Sequence, residues 1–450
     1  MNNDTIAAIS TAIGVGAISI VRVSGNNAVN IVNSIVKNKN LLTVKSHTIN
    51  YNHIVDNDEI IDEVLISVML APKTFTTEDV VEINCHGGIS TTNKILELLL
   101  SNGCRLAEPG EFTKRAFLNG RIDLVKAEAV MDLINSKTEK ARDLAIRQLD
   151  GQVSNEIFKL RTIINKTIAN IEVNIDYPEY DDIPEITNNE IKNTISVLKT
   201  QINKFLKNSE SGQIIKDGIN TAIIGRPNVG KSSILNRLLN EEKAIVTDIE
   251  GTTRDIVEGK VIVNGIVLNI IDTAGIRETN DIIEYKGVQK SLEFIDKADL
   301  ILFVLNNNEK ISDEEKEILN KIRNKNHIII INKTDLPSNI DEIEDDNIVY
   351  ISALNNEGIE SLKQKISDIY NLELIDLEDQ TYLSNARSVS LLKNCLKLIN
   401  NIEEGLNQDL PVDMLEIDLR EIWSLLGSII GENYDDELID TIFSQFCLGK

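Results

Sequence analysis

Residues 225–232 read GRPNVGKS, two glycines and a lysine at the spacing G-x-x-x-x-G-K-[ST], after an apolar strand and before a helix. Residue types in that order suit phosphate chemistry. Gly225 and Gly230 let main-chain N–H groups wrap phosphate oxygens, Lys231 neutralises the β and γ oxygens, and the Ser232 hydroxyl is a ligand for Mg²⁺. Three further motifs follow in order. GTTRD (251–255) offers Thr253 to close on Mg²⁺ when a γ-phosphate is present, and DTAG (272–275) sets Asp272 near the metal and the Gly275 amide near that phosphate. NKTD (332–335) supplies an Asn side chain and a carboxylate, Asn332 and Asp335, suited to O6/N7 and the N1–H/N2–H edge of guanine, and SAL (352–354) brings a loop toward O6. Adenine lacks that donor pair, so the predicted nucleotide is GTP.

Hydrolysis needs more than these motifs. Ile276 follows DTAG, and an aliphatic side chain cannot orient water; Arg254 and Arg277 read as solvated loop arginines. Two sources remain open from the residues alone. Asn228 has a carbonyl oxygen that suits a monovalent cation beside the phosphates, and Glu278, Asp281 and Glu284 are carboxylates in the segment after Ile276.

The end of the sequence, FCLGK (446–450), carries one of four cysteines, Cys447. Its spacing matches a prenylation box, but Lys450 lies outside the usual prenyl set and no basic run precedes it. Cys85, Cys104, Cys395 and Cys447 show no paired spacing and only four His occur, which excludes a disulfide framework and a zinc cluster. Cys85 and His86 are neighbours on one strand, so they point to opposite faces and Cys85 is expected in the core.

The elements that must position these groups follow from periodicity. Up to residue 118, β-branched runs such as AISIVRV (17–23) and VVEINCH (80–86) alternate with the helical TTNKILELLL (91–100), an α+β pattern. From Leu124, apolar residues recur at helical spacing, with Leu160, Ile164, Ile168, Ile171 and Ile175 on one face. A second amphipathic helix is expected to end near Leu206. INTAIIG, VLNIIDT, DLILFVL, HIIIIN and NIVYISA then read as buried strands between helices, hence a doubly wound, mostly parallel sheet. Helices return at 384–408 and 436–447, the latter with Leu438, Ile439, Ile442, Phe443 and Phe446 on one face. Helices on both sides of the α/β unit imply that it is inserted into a helical domain, whose 121–210 segment is expected to hold the Cys447 tail. The predicted domains are 1–118, 119–215 with 376–450, and 216–375 between them.

With 450 residues, 42% hydrophobic, and no apolar run near the ~18 residues of a membrane span, the expectation is a multidomain cytoplasmic protein without membrane contact. Net charge is −25, unevenly spread: residues 1–120 carry 9 basic and 12 acidic side chains, residues 376–450 carry 5 and 15. So acidic a surface repels phosphate backbones, and a nucleic-acid partner needs a local basic patch or delivery by another protein.

GEFTKRAFLNGRIDLVKAEAVMDLI (110–134) and FCLGK, together with the GTP motifs, make the chain resemble the MnmE (TrmE) family of tRNA-modification GTPases from DTIAAIS to its end. The resemblance implies a tetrahydrofolate-binding, dimer-forming N-terminal domain, a helical-bundle domain and an inserted Ras-like P-loop GTPase domain. It implies a K⁺-dependent GTPase, activated when two G domains of a homodimer face each other. The matching K⁺ positions are Asn228, Thr247, the Ile249 carbonyl and Thr252, and the Mg²⁺ positions Ser232 and Thr253. GTP contacts carry over to Asn228, Val229, Gly230, Lys231, Ser232 and Ser233; to Thr247, Asp248, Ile249, Glu250, Gly251, Thr252 and Thr253; to Asp272, Thr273, Ala274 and Gly275; and to Asn332, Lys333, Asp335, Ser352 and Ala353. Glu284 matches the carboxylate that orients water. Arg22, Glu82, Arg121 and Lys450 match the folate site, with Arg121 where some members have Lys, and Cys447 matches a cysteine required for modification.

The implied partner is the flavoprotein MnmG, in a heterotetramer that adds an aminomethyl-type group, such as carboxymethylaminomethyl, at C5 of wobble uridine 34 of certain tRNAs. The one-carbon unit would come from 5-formyl- or 5,10-methylene-tetrahydrofolate, and tRNA would be held mainly through the complex. A ribosome-assembly GTPase shares the Asn-containing phosphate loop but usually appends a basic RNA-binding module, whereas the appended regions here are acidic. A regulatory GTP switch needs neither Cys447 nor the folate positions.

Overall fold

The computed structural model describes residues 4–38, 40–176, 188–241, 259–271, 294–370, 372, 382–383 and 385–450. They form two compact units, the first built from Met1–Met131, Leu149–Ser196 and Asn394–Lys450, the second from Asp132–Gln148 and Val197–Lys393.

The first unit contains strands β1 (Thr5–Ile9), β2 (Ile18–Ser24), β3 (Thr48–Asp56), β4 (Glu59–Met69), β5 (Val80–His86) and β6 (Cys104–Leu106). Their order is β3-β4-β5-β2-β1-β6, antiparallel except for the β1–β6 pair. The period of two decides which side chains are buried. Val21, Val23, Val81, Ile83 and Cys85 pack with Ile95, Leu98 and Leu99 of helix Ile89–Ser101 and with Val29 and Val32 of helix Ala28–Ser34. Arg22 and Glu82, the alternate residues, therefore face away from that core, and the β2–β5 register sets them directly opposite one another.

Helix Gln152–Asp176 buries Leu160, Ile164, Ile168 and Ile171 as the spacing predicts, but Ile175, one turn further, is 48% exposed. This helix packs on Val412–Ile430, where the Arg161 guanidinium lies 4.1 Å from the centre of the Trp423 ring. The last helix is shorter than expected, Asp436–Ser444. Ile439, Phe443 and Phe446 are buried against Phe117, Leu124 and Ala127, whereas Leu438 is 37% exposed and leaves the expected face.

In the second unit β7 (Ile219–Ile224), β8 (Gly259–Val263), β9 (Ile266–Ile271), β10 (Leu300–Asn306), β11 (His327–Asn332) and β12 (Ile348–Ile351) run in the order β12-β11-β10-β7-β9-β8. Every pair is parallel except the β8–β9 hairpin, whose β8 periodicity did not reveal. Alternate residues of one strand enter two cores: Leu300, Leu302 and Val304 on one face, Ile301, Phe303 and Leu305 on the other. Helices Lys231–Glu241 and Ile359–Ile369 cover the first face, and Asp313–Ile322 the second. That double burial is why these strands read as unbroken apolar runs. The helix before β7 continues past Leu206 to Asp217 and is stopped by Gly218 at φ +81°, where a Cβ would meet the Val267 carbonyl at 2.4 Å.

Candidate functional site

In the second unit β7 feeds the 225–230 loop straight into the N-terminus of helix Lys231–Glu241, where the free helix amides and dipole favour an anion. Two glycines shape the loop. Gly225 passes so close to β10 that a Cβ would lie 2.4 Å from the Val304 carbonyl, and at Gly230 (φ +103°) a Cβ would lie 2.1 Å from Asn332 Nδ2. Asn228 is exposed and left-handed at φ +62°. Lys231 Nζ donates to the carbonyls of Gly225 (2.7 Å) and Arg226 (2.8 Å), and burial holds its pKa below the usual lysine value. An ammonium destabilised in this way gains most from an anionic phosphate. Arg226 is turned away, its Nε on Glu315 at 2.7 Å and its Nη2 3.1 Å from Glu309. Ser232 and Ser233, in the helix's first turn, are exposed, and the Val229 side chain is buried.

The residues expected around the base come together at the ends of β11 and β12. Asn332 Nδ2 donates to the Val229 carbonyl (2.8 Å) and Asn332 Oδ1 accepts from the Ala353 N–H (3.1 Å), so one buried amide joins the phosphate loop to the 352–354 loop. Ser352 Oγ donates to Asp335 Oδ1 at 2.6 Å, aiming the carboxylate. Arg237 caps the same loop by donating to the carbonyls of Ala353 (2.9 Å) and Leu354 (2.8 Å). Lys333 holds a left-handed φ of +66°, the turn from strand to loop. Thr247, Asp248, Ile249, Glu250, Gly251, Thr252, Thr253, Asp272, Thr273, Ala274, Gly275 and Glu284 lie outside the described residues, as do Arg254, Ile276, Arg277, Glu278 and Asp281.

The first unit carries a second constellation. Arg22, Glu82 and Lys450 line one cavity of about 160 Å³ with Met69, Phe75, Val80 and Val130. Arg22 Nε donates to Glu82 Oε1 at 2.8 Å and its guanidinium lies 5.6 Å from the centre of the Phe112 ring. Burial lowers the Lys450 pKa from the usual lysine value, as does the Arg22 charge, against the pull of Glu82 and Cys447. Arg121 is not in this cavity. It lines a neighbouring one of about 530 Å³ that shares Met69 and Phe75, donating to the Phe75 carbonyl at 2.9 Å with its guanidinium 5.0 Å from that ring's centre.

The 446–450 tail is held on one side by the 121–210 segment, as expected, with Phe446 against Leu124 and Ala127, and on the other by the strand layer and the 110–112 turn, which the spacing did not foresee. Gly449 O accepts from Arg22 Nη1 and Ser10 Oγ, both at 3.1 Å, Phe112 N–H donates to Lys450 O at 3.1 Å, and Gly110 N–H donates to Cys447 O at 3.3 Å. Gly449 permits the approach to the strands: its φ of +85° lets the chain pass where a Cβ would lie 2.5 Å from the Ile9 carbonyl. Cys447 is exposed. Cys85, by contrast, is buried with its Sγ on the Ser19 carbonyl at 3.4 Å, burial raises its pKa, and exposed His86 pairs instead with Asp62 at 2.7 Å. The residues' spacing does not point to Phe75, Met69 or Phe112; the one signal the sequence holds for a closely docked tail is the glycine, Gly449, beside Lys450.

Two family models match the chain: "GTP-binding protein TrmE N-terminus" over residues 5–121 and "MnmE helical domain" over residues 124–447. A tRNA modification GTPase MnmE from Streptococcus thermophilus (strain CNRZ 1066) is 54% identical over 99% of this chain and 98% of its own. One from Bacillus mycoides (strain KBAB4) is 52% identical over the full length of both. Among solved structures, the FeoB G domain of Methanococcus jannaschii aligns at 25% identity with 34% of this chain and 97% of its own, with a TM-score of 0.24.

Proposed function

Because the chain belongs to the MnmE family of tRNA modification GTPases, and is therefore a GTP hydrolase acting in tRNA modification, we propose that its GTP turnover is K⁺-dependent and serves a folate-fed reaction at the wobble uridine. Lys231 and the helix N-terminus bind the phosphates, and Asp335, aimed by Ser352, reads the guanine N1–H/N2–H edge. Ser232 and Thr253 would hold Mg²⁺, and Asn228, Thr247, the Ile249 carbonyl and Thr252 would hold K⁺. Both sets are hard oxygen donors of the kind such cations take. A bound K⁺ supplies the charge neutralisation that an arginine finger supplies elsewhere. Glu284 orients the attacking water, and facing G domains of a homodimer complete the site.

In the first unit Glu82 and the cations of Arg22 and Lys450 stand among apolar walls, a donor set that fits a flat heteroaromatic ring with polar edges and an anionic tail. Arg22, Glu82 and Lys450 would hold 5-formyl- or 5,10-methylene-tetrahydrofolate, with Arg121 in the adjoining cavity toward the tail; the folate supplies the one-carbon unit when bound. The flavoprotein MnmG, in a heterotetramer, completes the addition of an aminomethyl or carboxymethylaminomethyl group at C5 of uridine 34. The charge of −25 supports a division of labour in which the partner presents most of the tRNA-binding surface.

The single observation that carries this reading beyond a GTP switch is the cavity at which Arg22, Glu82 and Lys450 meet beside the docked tail. A reconstituted system with MnmG tests it. Wild-type chain should hydrolyse GTP faster in KCl than in NaCl and yield modified uridine 34 by mass spectrometry. Cys447→Ser should keep the turnover and lose the modification. Absence of modification with the wild-type chain overturns the proposal, and persistence of both activities in Cys447→Ser removes the thiol from the chemistry.

A further inference from the structure

The segment that carries Asp335 is fastened along its length by one residue that lies outside every nucleotide motif. Asn307, just past β10, is 6% exposed. Its main-chain N–H donates to the Asn332 carbonyl at 2.9 Å and its Nδ2 donates to the Leu336 carbonyl at 3.0 Å. Its own carbonyl accepts from the N–H groups of Asn339 (2.8 Å) and Ile340 (3.1 Å). One buried asparagine thus holds the start, the middle and the end of the 332–340 loop.

Asp335 lies between two of those anchors. Asn332 and Leu336 flank it, and Ser352 holds its carboxylate at 2.6 Å from the other side. Asn308 Nδ2 adds a bond to the Pro337 carbonyl at 2.8 Å, but from an exposed position. The loop needs the support, because Lys333 holds a left-handed φ of +66°, a conformation that persists in a non-glycine residue only where the surroundings fix it. The Leu336 carbonyl has its bond from Asn307 through a side chain, so of the Asn307 anchors it is the one a substitution removes without altering backbone pairing.

We propose that Asn307 is a positioning residue for guanine discrimination: it fixes the height and angle at which the Asp335 carboxylate meets the base. This rests on the reading of Asp335 as the group that accepts from N1–H and the 2-amino group. A carboxylate displaced by a few tenths of an ångström loses the second of two parallel bonds first, so removing the Asn307 donor should erode the preference for a base that has a 2-amino group over one that lacks it.

The test uses the full-length chain and two nucleotides, GDP and inosine diphosphate, which lacks only the 2-amino group. Asn307→Ala is expected to weaken GDP binding by about tenfold and inosine diphosphate binding by less, so that the ratio of the two dissociation constants falls. With GTP as substrate the loss should appear in KM more than in kcat. Asn307→Ser, which keeps a polar group in the same space, serves if the alanine variant does not fold. A lower Tm with an unchanged GDP to inosine diphosphate ratio overturns the proposal and leaves Asn307 a loop anchor only. Asp335→Asn separates the premise from the proposal: it should itself abolish the preference for GDP, and a retained preference means that Asp335 does not read the base, whatever Asn307 does.

Discussion

Arg22 and Glu82 face each other across β2 and β5, joined at 2.8 Å, and the same guanidinium reaches the Gly449 carbonyl at 3.1 Å. A single side chain thereby ties a sheet carboxylate to a tail that is 427 residues away in sequence. The cavity wall at Lys450 exists only while that tail is docked, so sheet register and tail geometry together define the proposed folate site.

Gly449→Ala tests the tail. The substitution places a Cβ 2.5 Å from the Ile9 carbonyl and 2.8 Å from Ser10 Cα, at a φ of +85° that favours glycine. The tail should undock, with a loss of about 1–3 kcal/mol in urea unfolding of the first unit. Tetrahydrofolate affinity measured by calorimetry should fall with it, while GTP turnover without MnmG is retained.

Lys450 gives a pH signature. Its folded pKa lies below the ordinary lysine value, first through burial and then through Arg22, so its charge opposes folding at neutral pH. That opposition fades as pH rises through the lowered folded value toward the ordinary one. Lys450→Met should therefore raise the Tm at pH 7 by about 1–2 °C, a small effect because the group is partly solvated, and the gain should vanish near pH 10. The same variant should bind tetrahydrofolate less tightly, since the anionic ligand loses a cation.

Gly230→Ala tests the nucleotide loop. Its Cβ would meet Asn332 Nδ2 at 2.1 Å, so the amide that joins the phosphate loop to Ala353 must move. Phosphate contacts and the contacts at O6/N7, which guanine and hypoxanthine share, are lost together, and GDP affinity measured by fluorescence should fall about 100-fold or more, the loss of two or more hydrogen bonds to charged groups. Binding of GDP and inosine diphosphate should fall alike, unlike the selective effect expected at Asn307.

Much of this was legible in the sequence, and the reasons differ by element. The strands of the second unit are apolar on both faces, so HIIIIN and DLILFVL could hardly be anything else, while β8 borders only one neighbour and carries no such run. The phosphate loop is local, and its eight residues hold their own geometry. The cavity in the first unit is not local. Arg22, Glu82 and Lys450 are brought together by strand pairing and a docked tail, and no spacing encodes that; resemblance to a family supplied their names, and the register explains their meeting. Asn307 escaped because its work is done through backbone carbonyls, which leave no mark on the residues they belong to.

The same separation of local from distant signals governs the ion network around Arg115. Arg115 is 8% exposed and meets Asp4 at 2.7 Å, Glu111 at 3.0 Å and Glu78 at 3.1 Å, while Arg105 also pairs with Asp4 and Glu111. Glu78 is in turn bonded to Ser24 at 2.8 Å, and Ser24 to Thr76 at 2.7 Å, which fixes the loop carrying Phe75. Burial pushes the Asp4 and Glu111 carboxyls up, but hydrogen bonds and charge from Arg105 and Arg115 outweigh it and both pKa values lie below the ordinary range. The stability these two groups add is present above their unfolded values and is lost as pH falls through the depressed folded ones. Arg115→Met leaves partly desolvated carboxylates short of their partner and should cost about 3–5 kcal/mol at pH 7. As pH falls, the carboxylates that lack Arg115 protonate before the wild-type ones and shed their desolvation cost, so the difference should narrow; urea titrations at pH 7 and pH 3.5 give the two values. A gap that stays constant between them would show that Arg115 acts through packing and not through its charge.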